Sequence, residues 1–261
     1  MCGRRTCERG GDHREAQGGD SNLMATNLTW DTLIRPTAGD SVFGNAAAVY
    51  DVGVFLGSVN RVLLALPLQG PFTSVHIQFE LGAATSGNFN LVALPVVNQL
   101  TAMLDFSDIS YNHVIQSASV PWQNPGVLTS GPGTIPGNNA DNAHRVVFPI
   151  SAGWTASESV AFADVGSGVI ADHVVNPTTG LMADVLGRAH EAAVAQGSVY
   201  MVVMLVHEDE SLGLNKIRLR GLNGTGAKPS FGQVLAATYV RPSDLRMSGR
   251  LGRSSRNARG R

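Results

Sequence analysis

The chain is predicted to be an all-β protein, an antiparallel jelly-roll-like β-sandwich with one helix and flexible termini. Three observations predict it. Val75, Ile77, Phe79 and Leu81 alternate with Ser74, His76, Gln78 and Glu80, the period-2 pattern of a strand with one buried face and one wet face. Gly82 to Asn88 then turns the chain, and Phe89, Leu91 and Ala93 resume the alternation, so the stretch from Thr73 to Val97 reads as a β-hairpin. Strand-like runs recur at short intervals with a single helical pattern among them, which favours an antiparallel sandwich over βαβ repeats. A hairpin cannot bury its apolar face alone, so the other strands must supply a second layer.

Residues 1–23 have almost no apolar content and no periodicity and are expected to form a disordered leader, with Met24 as an alternative start. The body is expected over 24–240. Its first strand runs from Trp30 to Pro36, and the next two are Val49 to Phe55 and Val59 to Leu66, with Gly57-Ser58 between them and Pro67 closing the second. The hairpin follows. Leu100 to Asp108 reads as a short helix or an irregular crossing. From Asn112 the chain becomes a long excursion, broken at Pro121-Trp122, Asn124-Pro125-Gly126, Gly131-Pro132-Gly133 and Pro136-Gly137, before Arg145 to Ile150 returns as a strand. Another strand is expected within Ala161 to Ile170. Between Pro177 and Gly197, Leu181, Val185, Leu186, Ala189, Ala192 and Ala193 recur at helical spacing, with Asp184 near the start and Gly197 just past the end. Val199 to Val206 is almost unbroken apolar sequence, the mark of a strand buried on both faces. Lys216, Arg218 and Arg220 alternate with Ile217 and Leu219, and Val234 to Val240 is expected to close the sheet.

A chain of 261 residues can bury a core without covalent staples. Apolar residues at 43% against 15% charged place it with globular proteins. Cys2 and Cys7 both lie in the leader, which leaves no material for a disulfide framework or a structural zinc site. No apolar run reaches the ~18 residues of a membrane span, and the leader lacks the apolar segment of a signal peptide. Charge is unevenly placed. Residues 241–261 hold seven Arg and one Asp, the leader is neutral, and the body carries eight basic and fifteen acidic residues. Six of those arginines, Arg246, Arg250, Arg253, Arg256, Arg259 and Arg261, are spaced by Gly, Ser and Asn in a tail that cannot fold alone but suits carboxylate or phosphate contacts. The acidic body would repel nucleic acid, and the tail lacks aromatics for base stacking, so a neighbouring subunit is the expected partner.

Leu33-Ile34-Arg35-Pro36 with Asp40 and Gly44-Asn45, then Asn60-Arg61-Val62-Leu63-Leu64, then Ser74-Val75-His76-Ile77, resembles the DNRLRE-type jelly-roll modules. Pro121-Trp122 lies where that family has a Trp-bearing loop, and Pro229 with Leu235 and Tyr239 resembles its closing region. The resemblance implies a carbohydrate-binding-like sandwich of a kind also found in phage virion proteins.

The sequence carries few signals of chemistry. His207-Glu208-Asp209-Glu210 is the densest acidic cluster, but it lacks the spacing of a calcium loop and reads as a solvated strand end. Asp164, Asp172, His173, His144 and His190 have no metal-ligand spacing. Gly166-Ser167-Gly168 is a turn and no nucleophile elbow, and Gly221 to Gly226 lacks the helix that a phosphate loop requires. Asn27-Leu28-Thr29 and Asn223-Gly224-Thr225 are glycosylation sequons that matter only on a secretory route. Trp122 is the candidate for stacking on a sugar ring, against the alternative of an indole anchoring its loop. The expectation is a non-enzymatic virion structural protein, a phage capsid decoration or tail-associated subunit. It would use no cofactor or metal and no membrane, and would assemble with itself and other virion subunits; the alternative is a carbohydrate-binding module with a glycan ligand.

Overall fold

The computed structural model describes residues 23–35, 41, 43, 48–55, 58–70, 72–103, 108–122, 140–210 and 215–235. In chain order the strands are β1 (Leu23–Asn27), β2 (Trp30–Ile34), β3 (Val49–Phe55), β4 (Ser58–Pro67), β5 (Phe72–Glu80), β6 (Phe89–Pro95), β7 (His113–Ile115), β8 (Val120–Pro121), β9 (Val146–Ile150), β10 (Ser159–Ala163) and β11 (His173–Val175). Helix α1 (Met182–Gln196) follows, then β12 (Tyr200–His207), β13 (Lys216–Arg220) and β14 (Ser230–Leu235).

Two sheets hold almost all of these strands. One runs β1-β14-β5-β10-β11; the other runs β13-β3-β4-β12-β6-β9, with β2 also paired to β4. The pairings β1 with β14, β4 with β12, β5 with β10 and β6 with β9 are those of one long hairpin that turns between β6 and β9 and is rolled into two layers. That is the jelly-roll order, with antiparallel ladders except where β11 adds to β10 in parallel. The expected fold class is the one observed.

The elements form where local chemistry directs them. Every residue of β12 is buried, because β4 and β6 flank it and both of its faces are covered. In β13 the pattern is half-buried for Lys216, Arg218 and Arg220 and buried for Ile217 and Leu219, as alternation requires. The expected hairpin over Thr73 to Val97 is not one: β5 pairs with β14 and β10, β6 with β12 and β9, and the turn between them carries the chain from one sheet to the other. The isolated bridges Leu81–Leu219 and Ser86–Lys216 tie that turn to β13 and so join the two sheets along one margin. On edge strand β9, Val147 is satisfied by Thr178 and Thr179, and Pro149 offers no N–H to a further strand.

Helix α1 buries Met182, Val185, Leu186, Ala189, Ala192 and Ala193 against β12, β5 and β6. Its own N-cap residue, Leu181, supplies no side-chain bond; the carboxylate of Asp164, just beyond β10, accepts from the amides of Met182 (2.7 Å) and Ala183 (2.9 Å) instead. Burial nonetheless pushes the Asp164 carboxyl up, against the pull of those amides. At the other end Gly197 takes φ 69°, with its N–H donating to Val194 O and that of Ser198 to Ala193 O, a Schellman closure. Gly187 sits mid-helix with open space where a Cβ would stand. Gly187→Ala should therefore raise stability by ~0.5–1 kcal/mol, read as a higher denaturant midpoint; a lower midpoint would show a packing partner on that face.

Several expectations need correction. The closing strand is Ser230–Leu235, since Phe231 is the core-facing residue, and Ala236 to Val240 of the expected strand fall outside the described residues. β1 begins at Leu23, inside the expected leader, held by its ladder to β14 and not by any apolar pattern of its own. The excursion after Asn112 contains the small β7–β8 hairpin, and the short β11 is a strand that no sequence pattern announces. The polar face of β5 is not wet along its length: Ser74 and His76 are buried, and Gln78 donates to Ile170 O in the loop between β10 and β11. Phe79 lies in the core, as the alternation predicts.

Candidate functional site

Three chain segments converge at one end of the larger sheet: Asn88 to Asn90 at the start of β6, Pro149 to Ser151 at the end of β9, and His207 to Asp209 at the end of β12. Together they line an open cleft of about 510 Å³, within the size range of small-ligand sites. The ladders β6–β9 and β6–β12 bring them together, with Phe89 opposite Ile150 and His207 opposite Leu91.

His207 is the buried element of this wall. Its ring stacks on Phe89 with centroids 4.6 Å apart and planes 8° from parallel. Nδ1 accepts the Asp209 N–H at 2.9 Å, which places the neutral ring's proton on Nε2, a nitrogen with no hydrogen-bond partner. Burial holds its pKa below the usual imidazole range, and Asp209, Glu210 and Glu208 only partly oppose that. Glu208 accepts from Asn90 Nδ2 at 2.8 Å and its amide donates to Asn90 O at 2.9 Å, while Asn88 Oδ1 accepts the Ala152 N–H at 2.7 Å. The cleft thus joins an apolar wall to carboxylate and amide groups. Among the described residues no side-chain nucleophile is hydrogen-bonded to His207.

The 207–210 cluster is therefore no simple solvated loop. Glu210 forms a two-pronged pair with Arg61 of β4, at 2.7 Å to Nε and 2.6 Å to Nη2, and the Arg61 side chain is 1% exposed. At β3, Asp51 receives both Arg218 and Lys216 of β13; burial pushes its carboxyl up, but the hydrogen bonds and charge of those two partners outweigh it and hold the group low. A second ring pair lies near the β10–β11 margin, where Trp154 stacks on His173 at 4.5 Å and Glu158 bonds His173 Nε2 at 2.7 Å. That hydrogen bond, with those from Thr155, brings the Glu158 carboxyl down to about 2.

Trp122, the candidate sugar platform, is 2% exposed and donates its indole N–H to Ser110 O at 3.1 Å. It anchors its loop to the sandwich and presents no open face for a ring to stack on. Arg246, Arg250, Arg253, Arg256, Arg259 and Arg261 lie outside the described residues. The acidic and histidine residues weighed for a metal go to separate duties: Asp164 caps α1, Asp172 accepts from Ser159, His173 binds Glu158, and His144 binds Asp141. Among the described residues no group of His, Cys, Asp and Glu could hold a metal ion. Nor is any described helix long and apolar enough to cross a membrane.

The cleft residues escape a reading of the sequence because they come from three places far apart in the chain and share no spacing. Only the clustered charges of 207–210 give a signal. No family model matches the chain, and no curated protein matches it.

Proposed function

We propose that the chain is a non-enzymatic virion structural protein, a capsid decoration or tail-associated subunit that works by assembling with copies of itself and with neighbouring subunits. The jelly-roll order is shared by capsid domains, lectin domains and cupins, so it narrows the field without choosing within it. The observation that favours assembly is the surface. At the β10–β11 margin Val165, Ile170 and Val174 are 80%, 90% and 45% exposed, and Val194 and Val199 stand out near the end of α1. Large exposed apolar side chains are what a subunit covers when it meets a partner. The acidic body and the arginine tail add charge complementarity between copies. A glycan module loses its main support with Trp122 buried.

The test is the size of the purified full chain by light scattering and electron microscopy, with and without residues 246–261, across a salt series. Full-length protein should form a defined oligomer or occupy particles. The truncated chain should keep its fold but associate more weakly, and raising salt should mimic the truncation because such contacts are screened over roughly 10 Å at 0.1 M. A full-length chain that stays monomeric at every concentration, or a truncated one with unchanged association and salt slope, would count against it.

A further inference from the structure

We infer that His76 is an acid-operated latch on the seam between β5 and β14, the ladder by which both terminal strands are held on the sandwich. In the sheet order β1-β14-β5-β10-β11, β1 is paired to β14 and β14 to β5. The first and last of the described strands therefore reach the rest of the sheet through one ladder, running from Ser230 opposite Gln78 to Val234 opposite Ser74, with a register break before Leu235. His76 sits in the middle of it, opposite Gly232.

The geometry there is specific. A Cβ at position 232 would overlap Cε1 and Nε2 of the imidazole, so the ring occupies the space that a side chain on β14 would fill. This is the cross-strand cover that an aromatic ring gives a glycine in a sheet. The residue is 5% exposed and its Nδ1 has no hydrogen-bond partner. Among the described residues, what faces it in the sheet is uncharged: Gly232 from β14, Ala163 from β10 in register, and Ser74 and Gln78 on β5 itself. Asp164, next along from β10, is engaged by the α1 amides. Of the other elements against β5, α1 places His190 beside Gly70 and Phe72 at the strand's start, and β13 places Arg220 against Glu80 at its end.

Among the described residues an imidazolium at this point would have neither a counter-charge nor an acceptor for its Nδ1–H. Burial alone holds the His76 pKa below its ordinary value of 6.5. The closed seam therefore binds fewer protons than the opened one. Its stability is complete above the ordinary pKa and falls as pH drops below it, until the folded-state pKa is passed. Protonation favours the ring leaving the seam, which uncovers Gly232 and loosens β14 together with β1. The hold that remains is Phe231, buried and set edge-on to Phe72 at 6.0 Å. Asp31 and Asp164, whose carboxyls burial pushes up, act with the opposite sign, since acid relieves their burial cost.

Hydrogen exchange of the full chain by mass spectrometry, at about pH 7.5 and about pH 5 and corrected for intrinsic rates, tests the latch. Amides of β14 and β1 should exchange several-fold faster at the lower pH, while those of β4, and of β12 away from His207, change little. His76→Phe keeps a ring over Gly232 and cannot charge, so it should abolish the acid response; His76→Gln is a second uncharged variant should the first not fold. His207→Phe should leave the response intact, separating the latch from the other buried imidazole. A native chain without the response, a response that persists in both uncharged His76 variants, or one spread equally over both sheets would overturn the inference.

Discussion

Phe79→Ala should lower the unfolding free energy by ~3–5 kcal/mol, the usual cost of emptying a buried aromatic site. Phe79 lies on the inward face of β5, opposite Val160 of β10, and is 3% exposed. Its ring is 6.1 Å from that of Phe162, which in turn lies 5.3 Å from Phe148 on β9. This file of three rings joins the two sheets, so the cavity would sit where the layers are held to each other and where neither can collapse without moving the other. For a domain of this size each kcal/mol moves the thermal midpoint by roughly 2–4 °C, and the variant should melt well below the parent. A midpoint unchanged within a degree or two would show that the β5 side chains face the other way.

Arg61→Ala should be about as costly, ~3–5 kcal/mol, for a different reason. The guanidinium and the Glu210 carboxylate are both withdrawn from water and bonded to each other by two contacts of 2.7 and 2.6 Å. Removing one partner strands the other charge in a dry site, whereas removing both costs far less. Arg61→Met with Glu210→Leu should accordingly recover much of the loss seen in either single variant, and a double-mutant cycle should report a coupling well above that of a surface pair. Because the pair is buried, the loss should change little with salt. Single variants within about 1 kcal/mol of the parent would place the pair with ordinary surface contacts.

The two variants probe features of unequal legibility. Phe79 is readable from sequence because the period of a strand is two, and its apolar set must share one face. Arg61 is legible only as the head of a strand. Its partner lies 149 positions away, in a segment that reads as solvated charge. The difference is one of distance along the chain: alternation, helical spacing and turn chemistry act within a few residues, while ion pairs and clefts depend on which strands become neighbours.

By itself the sequence determined the elements whose causes are local. These are the strands β5 and β6, though not the hairpin pairing expected of them, the fully buried β12, the alternating β13, and a helix ended by Gly197 in the left-handed region that its closure needs. Only the tertiary structure decided what depends on strand partners. Rolling the chain back on itself paired β1 with β14, which gave Leu23–Asn27 a ladder that its own residues do not call for and set the last described strand at Ser230–Leu235. The same roll carried Asp164 to the head of α1 and turned Trp122 inward. It also laid His76, by alternation a residue of the wet face, across Gly232 in a buried seam. A strand's pattern states which side chains share a face, and the elements packed on that face decide whether water reaches it.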